Sequence, residues 1–170
     1  MVREAEIGHE VLTSIRQIVR RIAEHSQYLT RAVGLTVPQL MCLKAIGELE
    51  EARAGEITVV LVSQKVQLTP ATVSRIIDRL TRADLVIRER RSKDRRRVCL
   101  SLTPAGLERF QTLPTPLQEQ FIARLGALPD EERRALLGAL QRIVQLMDAG
   151  DLEAAPMLTP EADVKDDRSA

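Results

Sequence analysis

Between Arg88 and Arg97 the chain carries seven basic residues and two acidic ones. Cations crowded this closely repel one another, so their placement asks for a polyanion opposite, and guanidinium and ammonium groups are the donors that meet phosphate oxygens. A second set of donors precedes them in 68-LTPATVSRIIDRLTRADLV-86. There Thr72, Ser74, Arg75, Asp78, Arg79 and Arg82 share one side of a predicted helix, with Thr69 and Ala71 at its entry. Short donors near the amino end and cations further along suit a helix laid into a charged groove. Taken alone, such a face also fits an ordinary solvated helix; the basic stretch beside it turns the reading toward nucleic acid. The chemistry is recognition rather than bond making.

Other chemistries find little support. His9 and His25 lie on one long predicted helix without metal-ligand spacing, and there is no Gly-rich phosphate loop, so neither enzymatic activity nor a metal or other cofactor is expected. Cys42 and Cys99 are the only cysteines and make neither a disulfide framework nor a zinc spacing. Cys42 falls in an apolar helical pattern and reads as core, whereas Cys99 falls on the polar side of its strand and reads as accessible. With Tyr28, Phe110 and Phe121 as its only aromatics, the chain lacks the stacking platform of a single-strand binder. Asp151 to Ala170 holds six acidic and two basic residues, so a formal charge of +1 for the whole chain leaves about +5 on the remainder. That local basicity favours a docking face over general coating of nucleic acid.

The elements that must hold these residues are mostly helical. From Glu4 to about Ala32, Ile7, Val11, Ile15, Ile18 and Ile22 recur at helical steps. Gly34 permits a turn, and Thr36 with Gln39 predicts a capping box for a helix carrying Leu40, Leu43, Ile46 and Leu49. Glu50 to Glu56 reads as a polar connection whose first residues extend that helix. The β-branched run 57-ITVVLVSQKV-66 suits a strand or a helix. A helix capped by Thr58 is preferred, since it joins the next helix at helix-turn-helix spacing, with room for a short strand around Ile57. Thr69 then caps, Pro70 takes the first helical position, and Val73, Ile76, Ile77 and Leu80 form the buried face. Two strands follow, Val86 to Arg91 and Arg97 to Leu102, the second burying Val98, Leu100 and Leu102 on one face.

Beyond the hairpin, 103-TP-104 repeats the cap signal for a helix with Leu107 and Phe110, which Pro114 and Pro116 end. Leu117, Phe121 and Leu125 mark another helix. Asp130 to Met147 makes the last, with Leu136, Leu140, Ile143 and Met147 at the spacing of a helix-pairing seam. These terminal stripes exceed what one slender chain covers, so a homodimer is expected through Ile7, Val11, Ile18, Leu136, Leu140, Ile143 and Met147. Three regions result: 1–34 with 104–150 as a helical dimerisation region, 35–103 as the DNA-binding domain, and 151–170 as an acidic, partly disordered tail in which Pro156, Met157 and Leu158 dock. No apolar run reaches a bilayer's span, and 1-MVREAEIGHE-10 is not a secretory signal. A cytoplasmic protein, nucleoid-associated when bound to DNA, is the expectation.

This order of elements resembles the MarR (multiple antibiotic resistance regulator) family of bacterial winged helix-turn-helix transcription factors. The resemblance is carried by 68-LTPATVSRIIDRL-80 followed by 94-DRRRVCLSLTPAG-106, with Ser63 and Gln67 standing where the family commonly has alanine and a turn glycine. It implies a mainly α winged helix-turn-helix fold with a β-hairpin wing and long amino- and carboxyl-terminal dimerisation helices. The helix starting at Thr69 would enter the major groove, Arg75 with Thr72 and Ser74 reading bases. Arg79, Lys93, Arg95 and Arg97 would meet phosphate; Arg96 would approach the minor groove, and Asp94 would orient the arginines. The implied function is a homodimeric repressor of a pseudo-palindromic operator in double-stranded DNA, relieved by a small-molecule effector or a stress signal. The carboxyl part, 113-LPTPLQEQF-121 and 154-AAPML-158, is similar to the branch controlling ectoine and other compatible-solute genes. A winged-helix module that binds proteins instead of DNA is the alternative.

Overall fold

The computed structural model describes residues 2–89, 98–152 and 154–160, with side chains from Glu6 onward. Nine elements follow in order: α1 (Val2–Ala32), α2 (Val37–Glu51), α3 (Val59–Val66), α4 (Pro70–Arg82), β1 (Val86–Glu89), β2 (Cys99–Leu102), α5 (Pro104–Gln111), α6 (Leu117–Gly126) and α7 (Asp130–Leu146). They form two compact units. One runs to Pro114 and takes up the chain again from Pro156; the other spans Thr115–Ala155.

Local chemistry sets most boundaries in the first unit. Gly34, at φ +73°, makes the turn out of α1, and Gln39 Oε1 accepts the Thr36 N–H at 3.2 Å, the glutamine half of the expected capping box. Helix α3 starts where the Thr58 hydroxyl accepts the Leu61 N–H at 3.2 Å, and the run Ile57–Val66 is helical beyond its cap. Residues around Ile57 form no strand. A single ladder-like bond remains there, Leu100 N–H donating to the Ile57 carbonyl at 2.7 Å. The α3–α4 turn passes through Gln67 in the left-handed region (φ 58°, ψ 33°), a conformation that glycine adopts without the steric cost a side chain adds.

The core is built on α2. Leu40, Leu43 and Ile46 meet Val62 of α3, Val73, Ile76, Ile77 and Leu80 of α4, Val86 and Leu100 of the hairpin, and Leu29 of α1 in one apolar cluster. Cys42 is fully buried, as its place in the apolar pattern predicts. Two glycines allow α5 to close on this core. A Cβ at Gly47 would lie 2.4 Å from the Phe110 ring, and one at Gly106 would lie 1.9 Å from the Leu85 carbonyl oxygen. Met157, at 5% exposure, belongs to the same cluster, so the segment after α7 returns to fill the first unit's core. The expected docking thus falls on Met157; Leu158 is exposed, and positions 161–170 lie outside the described residues.

His25 is also buried, on α1, and burial holds its imidazole below the ordinary pKa, with the Arg21 charge adding to the effect. The outward side of α1 is different: Ile7, Val11, Leu12, Ile18 and Val19 are exposed, Ile18 at 54%.

The second unit holds α6 and α7. Pro116 and Pro129 stand at their N-caps, and Asp130, Glu131 and Glu132 place negative charge at the start of α7, where the helix dipole favours it. Leu136, Leu137, Leu140, Val144, Leu146 and Met147 are exposed along α7, Leu140 at 48%, whereas Ile143 is half-buried. Among the described residues no single helix is long and apolar enough to cross a membrane.

Candidate nucleic-acid interface

The candidate interface is the outer side of α4, a helix against which α2, α3 and β1 pack. The helix is fixed at its amino end by Thr69, whose hydroxyl accepts the Thr72 N–H at 3.2 Å and lies 2.9 Å from the Thr72 hydroxyl. With Pro70 at the first helical position, the entry carries its cap and needs no donor where none could pair. Val73, Ile76, Ile77 and Leu80 bury the inner face completely or nearly so. That leaves Thr69, Ala71, Arg75 and Arg82 exposed and Ser74, Asp78 and Arg79 half-exposed on the outer side.

Thr72 departs from the sequence reading. Assigned to the outer side, it is 7% exposed and its hydroxyl is engaged with Thr69. The physical reason is capping: the second and third residues of the first turn fold back over the N-cap, and a β-branched hydroxyl there finds the cap oxygen before it finds solvent. Thr72 therefore holds the helix start, and the outer side at this end is left to Thr69 and Ala71.

Behind α4 stands an antiparallel hairpin, Val86 pairing with Leu102 and Glu89 with Cys99. It is tied to the body at its base, where β1 begins and β2 ends. Glu50 Oε1 on α2 accepts the Leu102 N–H at 2.8 Å, and the Thr103 hydroxyl donates to the Asp84 carbonyl at 2.6 Å while accepting the Gly106 N–H at 2.8 Å. Asp84 itself sits at φ 56°, which turns the chain from α4 into β1. Cys99 is a second correction. Expected on the accessible side of its strand, it is 6% exposed: alternation puts it on the face opposite Leu100, and that face is closed over at Cys99 although Ile87, paired with Ser101 beside it, stays exposed. The proposed wing residues Lys93, Asp94, Arg95, Arg96 and Arg97, like the strand ends expected at Arg91 and Arg97, lie outside the described residues.

Arg88 is a third residue whose place the sequence does not announce. Counted there among the cations of the hairpin, it turns back onto α4. Its Nη2 lies 2.9 Å from Asp78 Oδ1, 3.0 Å from the Ser74 carbonyl and 3.3 Å from the Ser74 hydroxyl. The available signal is an arginine at the third position of a strand that follows a helix with a serine and an aspartate one turn apart. Lys65 and Lys44 are occupied elsewhere, both near Glu48, at 2.9 and 3.7 Å. No group of histidine, cysteine, aspartate and glutamate side chains able to hold a metal ion occurs among the described residues.

A capped helix, a left-handed turn, a second helix packed by one face only and a hairpin braced against it constitute a winged helix-turn-helix. The sequence profile of the MarR family matches residues 35–98, from just before α2 to the residue before β2. The chain is 29% identical over 123 residues to the uncharacterized HTH-type transcriptional regulator YsmB of Bacillus subtilis, covering 72% of this chain and 81% of that protein. It is 24% identical over 127 residues to the HTH-type transcriptional repressor MdtR of the same organism, covering 75% and 79%. Among solved structures, a MepR–DNA complex from S. aureus superposes with a TM-score of 0.56 at 19% identity, over 79% of this chain and 96% of that one. A ZitR mutant from Lactococcus lactis gives 0.52 at 21%, over 66% and 75%. These likenesses establish the fold. Residues 35–98 thus match the MarR family model, and the described elements around them form a winged helix-turn-helix.

Proposed function

We propose that this chain is a sequence-specific regulator of double-stranded DNA that works as a homodimer and represses by occupying a pseudo-palindromic operator. The observation that carries this reading is the asymmetry of α4: one face is sealed into the core, and the other offers Ala71, Ser74, Arg75 and Arg79 from a helix whose start and flank are both held. A helix so presented fits the major groove, where arginine makes bidentate contacts to guanine. Arg75 reads base edges in this proposal, Arg79 meets phosphate, and the stretch from Lys93 to Arg97 supplies the wing, with Arg96 at the minor groove.

The homodimer rests on the exposed stripes of α1 and α7. Ile7, Val11 and Ile18 on the first, and Leu136, Leu140 and the C-cap Met147 on the second, are large apolar side chains left in water, and an exposed apolar stripe on each helix supports an interaction face. A symmetric pair would present two α4 helices to half-sites about one DNA turn apart. Relief by a small effector, and a link to compatible solutes, complete the proposal. The second is supported only by the resemblance of 113-LPTPLQEQF-121 and 154-AAPML-158, both beyond the matched span.

The purified protein is tested by selecting bound fragments from a genomic pool and measuring its mass by light scattering at low micromolar concentration. A selected inverted repeat bound by two chains, with affinity falling steeply in salt, is expected. A monomeric mass with intact helicity removes the dimer, and absence of salt-dependent DNA binding favours a protein-binding module. Osmolyte titration at constant ionic strength, with unchanged operator affinity, would remove the compatible-solute link.

A further inference from the structure

By charge alone Arg88 opens the run of seven cations and reads as one more phosphate anchor. Its geometry says otherwise. The guanidinium spans one turn of α4, taking the carbonyl of Ser74 and the carboxylate of Asp78, and both acceptors lie on the side of the helix that also presents Arg75, Arg79 and Arg82. Two of the planar group's donors are thereby directed at α4 instead of outward.

Two consequences follow from this placement. First, β1 is fixed to the Asp84–Leu85 turn at one end and, through Arg88, to the flank of α4, so the rotation of α4 about its own axis is coupled to the hairpin. Rotation decides which side chains of a helix meet base edges in a groove, and small misplacements of contacting groups are costly. Second, Asp78 stands one turn from Arg75 and Arg82, where a bare carboxylate would repel phosphate. The ion pair neutralises it. We infer that Arg88 is a positioning residue for DNA recognition: it holds α4 through Ser74 and Asp78, sets base specificity, and contributes little as a counter-charge to the DNA backbone. This inference rests on the DNA-binding reading above.

The test compares wild type, Arg88→Gln, Arg88→Lys and Asp78→Asn on a selected operator and on random DNA at several salt concentrations, with helicity checked by circular dichroism. Wild-type binding to the operator is measured first; if it is absent, the functional reading fails and this inference falls with it. Given wild-type binding, Arg88→Gln is expected to weaken operator binding roughly tenfold, within the range for one misaligned bidentate base contact, while random DNA changes less than about twofold and the slope of affinity against salt stays the same. Asp78→Asn carries the sharper sign. Removing a negative charge from a DNA-facing surface should tighten binding to every sequence if only electrostatics matters; positioning requires that it weaken operator binding as Arg88→Gln does. Arg88→Lys keeps the charge, but all three contacts come from Nη2, and a lysine ammonium ends about one bond short of that atom, so it should restore less than half of the lost discrimination in logarithmic terms.

A salt slope reduced by about one unit for Arg88→Gln, with operator and random DNA weakened alike, would identify a phosphate anchor and overturn the inference. So would Asp78→Asn binding both DNAs more tightly with their ratio unchanged. Should Arg88→Gln lose its helicity, Asp78→Asn and Arg88→Lys still decide the matter, because each removes the same bridge with a smaller change in packing.

Discussion

Replacing Gly106 with alanine places a methyl group 1.9 Å from the Leu85 carbonyl oxygen and 2.9 Å from its carbon. Both obstacles are backbone, so no rotamer change relieves them; α5 or the Leu85 turn must move by more than an ångström. That movement acts on three hydrogen bonds centred on Thr103: its amide to the Leu85 carbonyl at 3.1 Å, its hydroxyl to the Asp84 carbonyl at 2.6 Å, and the Gly106 amide to its hydroxyl at 2.8 Å. At about 1 kcal/mol each, their loss costs about 3 kcal/mol. Alanine's better helix propensity returns about 1 kcal/mol, leaving a net destabilisation of about 2 kcal/mol. For a chain of this length that lowers Tm by about 4–8 °C. The chain has no tryptophan, so the melt is followed by far-ultraviolet circular dichroism. The control is Gly138→Ala on α7, where nothing lies within 4 Å of the added methyl, and there propensity alone should raise stability by about 0.5–1 kcal/mol. Two identical substitutions thus carry opposite signs. A Gly106→Ala protein melting within about 1 °C of wild type would refute the close-approach argument.

His25 is held below its ordinary pKa of 6.5, so its neutral form is the one the fold favours. In the window below 6.5 the unfolded chain binds the extra proton first, and the stability this residue contributes is present above that pH and lost as pH falls toward the lower folded value. Urea unfolding at pH 7.5 and 5.5, conditions about one unit either side of that value, should show a larger acid loss for wild type than for His25→Gln, and equal losses would contradict the assignment. Met157→Ala should destabilise the first unit by about 2 kcal/mol, the low end for a buried methionine because the strap can settle into the space, whereas Met157→Leu should stay within about 1.5 kcal/mol of wild type. A neutral Met157→Ala in urea denaturation would show that the strap does not fill the core in solution. Arg75→Ala should remove about 1–3 kcal/mol of preference for operator over random DNA; competition binding showing equal losses on both would remove its base-reading role.

What was legible in the chain follows from the range of each interaction. Thr58, Thr69 and Thr103 announce their helices because a cap is made with an amide three residues on, and a following proline strengthens the signal at the last two. The inner face of α4 was equally plain, since Val73, Ile76, Ile77 and Leu80 repeat at helical steps. Thr72 misled because its periodicity places it at the edge of the outer side while its hydroxyl has a nearer partner. Cys99 misled because strand alternation tells which face a residue joins but not how many layers cover that face. Arg88 was counted as charge, and only the packing of β1 on α4 reveals which acceptors it meets. Gly47 and Gly106 gave no sequence signal at all: each matters through what approaches it, Phe110 in one case and Leu85 in the other.

The return of Met157 has a consequence for how the protein is made. Among the described residues, the rest of the first unit's core is supplied by side chains no later than Leu113. The second unit, Thr115–Ala155, lies wholly between those residues and the one that completes them. Domains emerging from a ribosome generally mature in the order of synthesis. Here the order is inverted: the inserted helical unit has its whole sequence available while its host still waits for a side chain. Until residue 157 arrives, the nascent winged helix is a nearly finished core with one open place, and closing it requires a contact of very long sequence separation, the slowest kind to form.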